Sequence, residues 1–241
     1  MNCYCFLIFI VLTNIFAFNK TNGQTLSSAE PSSFKNIKAY FKNEIGENVH
    51  LYSGKEYTGY ERNIKGDPFF VSSEMQNSDI FYNGTLYENV PLLFDIVRQE
   101  IVINRYNQNF RIKLLNEKIK YFTLSGHKFE NIPVTEKDGN TGYGIYDMAF
   151  DGKASLLVKR FKRIVNGLKA EDQPRFVQED EFFIRNSNSF YAVDDRSSLL
   201  LALNDKKELI KTYIRKNKFR FKKNIEKEFI LTTAYYSTLN K

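Results

Sequence analysis

Short aromatic and β-branched runs, broken by turn dipeptides, constrain what residues 48–195 of this chain can become. Ile80-Phe81-Tyr82 and Leu86-Tyr87 flank Asn83-Gly84, while Met148-Ala149-Phe150 and the Ala154–Val158 run flank Asp151-Gly152. Both dipeptides suit the positive φ angles of a two-residue turn, so each marks a hairpin. Further runs at Pro91–Val97, Glu100–Tyr106, Phe110–Leu115, Tyr121–Leu124, Gly144–Phe150, Phe176–Ile184 and Phe190–Val193 bring the total to roughly nine or ten strands. The 22 Phe and 15 Tyr, against 12 Gly and five Pro, favour strands over disorder. The expected fold is mainly β: an antiparallel meander forming a large sheet, a half-barrel or a sandwich.

Different patterns flank this domain. Residues 1–23 read as a signal peptide, because the apolar stretch Cys3–Phe18 is too short and too near the amino end for a comfortable spanning helix. Thr21 and Gly23 place a cut before Gln24. No Lys or Arg precedes the apolar run, so an uncleaved amino-terminal anchor is the alternative. Cys3 and Cys5 both lie in the leader. A mature chain without thiols excludes disulfides, thiolate nucleophiles and Cys-ligated metals. Residues 24–47 read as a linker and a short helix with Phe34, Ile37 and Phe41 on one face, ended by Gly46. Residues 196–241 read as a basic helical segment capped at Ser197-Ser198. Leu203, Ile210 and Ile214 share one face there, and Phe221, Ile225, Phe229 and Tyr236 another, giving two amphipathic helices.

Charge follows the same division. Leu200–Lys241 carries eleven Lys and Arg against four Asp and Glu, a surplus equal to the +7 of the whole chain. Its densest part holds Arg215, Lys216, Lys218, Arg220, Lys222 and Lys223, interleaved with Phe219 and Phe221. A solvated Lys-rich face is the simplest reading, and docking on an anionic envelope surface is the functional one. Nucleic acid is not expected as a partner of an exported protein.

Catalytic signatures are sparse. The two histidines, His50 and His127, read as surface or turn residues near strand edges, with neither a Gly-x-Ser-x-Gly elbow nor His-Glu-x-x-His spacing. Asp138-Gly139-Asn140 lacks the later ligands of a calcium loop. No phosphate cradle or dinucleotide fingerprint appears, so no cofactor is assigned. Carboxylates remain: Asp95, Asp147, Glu179, Asp180, Glu181, Asp194 and Asp195 are candidates for an acid and base pair. Asp95 and Asp147 stand out because Phe94-Asp95-Ile96-Val97 and Tyr146-Asp147-Met148-Ala149 each place a lone Asp in an apolar strand before a turn. Such a residue is exposed, or is paired if buried.

Leu51-Tyr52-Ser53-Gly54-Lys55-Glu56-Tyr57, Gly66-Asp67-Pro68-Phe69-Phe70, Tyr82-Asn83-Gly84 and Tyr87–Asp95 together resemble a group of exported proteins of Bacteroidota with no established activity. The similarity continues through Tyr146-Asp147, Asp151-Gly152-Lys153 and the Lys-rich helices. The resemblance implies a bacterial periplasmic or cell-envelope location and assigns no site residue. The function expected is non-catalytic binding of a hydrophobic ligand, an envelope component or a protein partner, with peripheral membrane contact through the basic segment. A carboxylate-dependent glycan hydrolase using Asp95 or Asp147 is the alternative.

Overall fold

In chain order the strands are β1 (Lys55–Glu56), β2 (Gln76–Tyr82), β3 (Thr85–Asp95), β4 (Glu100–Asn104), β5 (Arg111–Lys113), β6 (Ile119–Leu124), β7 (His127–Thr135), β8 (Thr141–Phe150), β9 (Ala154–Val165), β10 (Arg175–Asn186) and β11 (Ser189–Val193). The computed structural model describes residues 51–239 apart from 62, 106–109, 136–140, 168, 170–171 and 188. The expected leader with Cys3 and Cys5, the helix at Phe34–Phe41, His50 and Asp138–Asn140 lie outside the described residues. The strands form one open antiparallel sheet in the order β1-β5-β4-β3-β2-β6-β7-β8-β9-β10-β11. From β6 to β11 this is the expected meander. Before it, β2–β5 form a block that runs the other way, and β6 returns to pair with β2.

Turn chemistry accounts for much of the register. Asn83 and Gly84 take φ values of 49° and 84° and close the β2–β3 hairpin at Tyr82↔Thr85. Asp151-Gly152 behaves differently. Its connection runs over three residues between Phe150 and Ala154, and the β8–β9 ladder slips between Met148 and Phe150. A Cβ at Gly152 would come within 2.7 Å of both the Phe150 ring and the Ser237 hydroxyl, so a larger residue there would have to displace these two side chains. A further tight turn, Ser125-Gly126 at φ 52° and 80°, starts β7, a strand absent from the sequence expectation.

Several strand limits also shift. Strand β3 stops at Asp95 rather than Val97, because the Asp95 carboxylate draws the Val97 and Arg98 N–H groups into a turn. Strand β9 continues past Val158 to Val165 despite Lys159, Arg160, Lys162 and Arg163, since β10 pairs with it throughout.

The connection from β5 to β6 shows that the first part of the sheet rolls. Four strand spacings separate these neighbours in sequence, about 19 Å in a flat sheet. The link between them contains the 3₁₀ turn Asn116–Lys118 and reaches only about 16 Å. Curvature brings one face of β2–β8 around a shared core of Ile80, Tyr82, Leu92, Phe94, Ile101, Ile103, Ile112, Phe122, Phe129 and Ile145. Phe94, Phe122 and Phe129 fill its centre with ring separations of 4.9–5.4 Å. The β3–β4 turn at the lip of this half-barrel meets β9, where Lys162 N–H donates to the Ile96 carbonyl at 3.2 Å.

Three helices cover the second part of the sheet: α1 (Arg196–Ala202), α2 (Lys207–Lys216) and α3 (Ile225–Thr238). Asp195, not Ser197 or Ser198, caps α1, accepting Ser198 N–H at 2.7 Å in a capping box. A 3₁₀ turn at Asn204–Lys206 separates α1 from α2, so the Leu-rich stretch and the following amphipathic stretch are two helices. Leu199, Leu203, Ile210, Ile214, Phe221, Phe229 and Tyr236 pack with Ala154, Leu156, Ile184 and Val193 of the sheet. Among the described residues no helix is long and apolar enough to cross a membrane.

Candidate functional site

Asp95 sits at the end of β3 with no exposed surface. Its oxygens accept from the Tyr57 hydroxyl at 2.8 Å, the Tyr60 hydroxyl at 3.0 and 3.2 Å, Val97 N–H at 2.9 Å and Arg98 N–H at 3.0 Å. Arg98 then lays its guanidinium 4.1 Å above the Tyr60 ring and donates to the Gly59 carbonyl. Burial, followed by the Asp95 charge and hydrogen bonds, pushes both tyrosine hydroxyls well above their ordinary pKa. They serve as neutral donors that clamp residues 57–60 onto the β3–β4 turn.

Asp147, 1% exposed on β8, is held by charge instead. Its Oδ2 takes bonds from Arg160 Nη2 at 2.6 Å, Arg160 Nε at 2.9 Å and His127 Nδ1 at 2.8 Å. Arg160 projects from β9 and bonds Asp180 of β10 at 2.9 Å and Glu226 of α3 at 2.6 and 2.8 Å. All five guanidinium N–H groups are therefore engaged. Burial alone would lower the Arg160 pKa, but the Glu226 and Asp147 bonds and charges outweigh it and leave the value raised. His127 opens β7, and its ring meets Phe70 edge-on at 5.1 Å. Gln99 joins the two aspartate environments, donating to the carbonyls of both Ile96 and Arg160.

Asp95 and Asp147 thus occupy separate cages, both closed to bulk solvent, instead of facing each other across a cleft. Of the other acids, Asp180 and Glu226 share an open cleft of about 630 Å³ with Phe182, Lys223, Ile225 and Lys227. Both bind the Arg160 guanidinium. Glu179 pairs with exposed Arg163, and Asp194 and Asp195 fasten Ser198 at the start of α1. Among the described residues no group of three His, Cys, Asp or Glu side chains is placed to hold a metal ion.

The basic segment forms a knuckle between α2 and α3. Helix α2 ends in a Schellman motif, with Lys218 N–H on the Arg215 carbonyl, Phe219 N–H on the Ile214 carbonyl, and Lys218 at φ 57°. Beyond it, side chains alternate. Phe221 is buried on Phe229 and half-buried Phe219 packs against Tyr213, while Lys218, Arg220 and Lys222 are exposed. The aromatics interleaved in the sequence are therefore anchors rather than surface stacking platforms. Arg215, Lys216, Lys223 and Lys227 are exposed as well, and among the described residues none of these seven cations is in an ion pair. The neighbouring acids are committed elsewhere: Glu226 binds Arg160, and Glu228 accepts the Arg220 and Phe221 backbone N–H groups. No protein-family model, curated protein or solved structure matches the chain.

Proposed function

We propose that this is a non-catalytic exported protein that binds an anionic surface of the bacterial envelope through the α2–α3 knuckle, with the rolled sheet as scaffold. One observation carries this reading: seven exposed cations with no ion pair among the described residues lie within Arg215–Lys227, on the knuckle and the helix ends beside it, where the aromatic residues and Glu228 are spent holding the shape. A cation near an anionic bilayer contributes about 1 kcal/mol, so a cluster of this size suffices for salt-sensitive docking without an inserted segment. The aromatic filling of the half-barrel favours surface binding over carriage of a hydrophobic ligand inside it.

Co-sedimentation with phosphatidylglycerol-containing vesicles tests the proposal. Removal of Arg196–Lys241 is unsuitable because it would strip Leu199, Ile210, Phe229 and Tyr236 from the core. Reversing Lys216, Lys218 and Lys222 to Glu touches exposed side chains instead. Binding should fall more than tenfold in the triple variant and should weaken steeply with added salt. Binding that ignores both changes would rule the proposal out.

A further inference from the structure

Strand β10 is longer than the partner on its outer side. Strand β9 pairs with it along its whole length, from Arg175↔Val165 to Asn186↔Ala154. Strand β11 covers only Phe182–Asn186, because the chain leaves the sheet after Val193 to enter α1. At the other end Lys65 occupies the same outer edge, taking Phe176 N–H on its carbonyl and donating to the Pro174 carbonyl. Between these two neighbours lies a slot over Val177–Glu181, about 17 Å long.

The direction of the unpaired groups follows from the ladder. Phe176 N–H points to Lys65, away from β9, and alternation along a strand sends the backbone groups of Gln178 and Asp180 the same way. Among the described residues nothing pairs with them on that side. The slot opens into a cleft of about 910 Å³ lined by Asp180, Glu181, Phe182, Phe183, Val193 and Ile225, where β11 ends. Glu181 and Asp194 at its rim are exposed and have no ion pair among the described residues. A strand placed here would set one side chain opposite Asp180, on the α3 face beside Ile225 and Phe182. Its two neighbours would lie opposite Glu179 and Glu181 on the other face.

We infer that β10 receives an extended peptide from a partner protein as an additional strand, with an apolar residue opposite Asp180 flanked by basic residues, one of them opposite Glu181, which has no ion pair among the described residues. Main-chain bonds to Gln178 and Asp180 supply the attachment, and Glu181 with the Ile225 side of the cleft selects the sequence. The slot's fixed length and acidic rim distinguish it from a plain open edge, which natural sheets usually protect.

The test uses the full chain and a labelled peptide, Ser-Thr-Lys-Val-Lys-Thr-Ser, followed by fluorescence anisotropy and amide hydrogen exchange. The peptide should protect the Gln178 and Asp180 amides and bind at least tenfold tighter than its Glu-Val-Glu counterpart. N-methylation of its Val should abolish binding. Gln178→Pro removes an outward N–H without touching the β9 ladder, so it should abolish binding while leaving the urea midpoint near the wild-type value. Glu181→Lys should reverse the preference between the two peptides. The proposal is overturned by absence of protection at millimolar peptide, or by binding indifferent to N-methylation. Concentration-dependent protection without peptide would also overturn it, by assigning the slot to a second copy of the chain.

Discussion

Asp95 and Asp147 both interrupt apolar strands and both are fully buried, yet Asp95 is held by uncharged donors within reach of its own turn, whereas Asp147 depends on an arginine shared with two other carboxylates. Two of the donors to Asp95 are backbone N–H groups two and three residues along the chain, so part of its cage forms with the turn itself. Asp147 has no such local support. Its partners come from β7 and β9, and the arginine they share ties β8, β10 and α3 together. The contrast shows two ways of keeping a carboxylate inside a sheet, one resting partly on local turn geometry and one wholly on a long-range ion network.

Arg160→Ala should produce the largest change, because it leaves Asp147 buried with His127 as its remaining partner and removes the link to α3. Breaking a buried ion pair from one side costs about 3–5 kcal/mol, a large share of the stability of an ordinary domain. Urea unfolding followed by far-ultraviolet circular dichroism should show a correspondingly lower midpoint. A loss below about 1 kcal/mol would mean that the network is dispensable, and the distinction between the two aspartates would collapse.

Asp95→Asn should cost less, about 1–2 kcal/mol, since the amide oxygen can still accept the Val97 and Arg98 N–H groups while one side becomes a donor facing the Tyr57 and Tyr60 hydroxyls. Hydroxyls rotate and also accept, so part of the cage survives. The same unfolding measurement ranks this variant against Arg160→Ala. A larger loss for Asp95→Asn would reverse the assignment and make the tyrosine clamp the dominant tether.

Both aspartates were legible in the sequence as polar residues in apolar strands, but their partners were not. Arg160 lies 13 residues from Asp147 and 66 from Glu226, and it stands in a run of basic residues that looks like the end of a strand. Only the full pairing with β10 carries β9 through that run. Strand β7 escapes the residue pattern for a related reason: His127-Lys128-Phe129-Glu130-Asn131-Ile132-Pro133 mixes polar residues and a proline, and the Ser125-Gly126 turn is its remaining signal. The Asn83-Gly84 hairpin, by contrast, depends on conformational preference within two residues and needs no distant partner. Likewise the roll of the sheet and the slot beside β10 arise from where short strands stop, which residue patterns define least sharply.

The smallest effect separates the two cages by their response to alkali. Burial and the Asp95 charge hold the Tyr57 and Tyr60 pKa values above the ordinary 10.0, so the folded chain keeps these protons after the unfolded chain has begun to release them. Their contribution to stability is therefore complete below pH 10 and declines as the pH rises further. Tyr82 and Tyr146, also pushed up by burial, supply a background common to every variant. Urea midpoints measured from pH 9 to pH 11.5 should fall less steeply in a Tyr57→Phe, Tyr60→Phe double variant than in the wild type. Arg160→Ala should keep the wild-type slope from its lower starting point, because the tyrosines donate to Asp95 and not to Asp147. Equal slopes in the wild type and the double variant would show that the Asp95 cage does not retain its hydroxyl protons, and the hydrogen-bonded clamp would lose its neutral donors as an explanation.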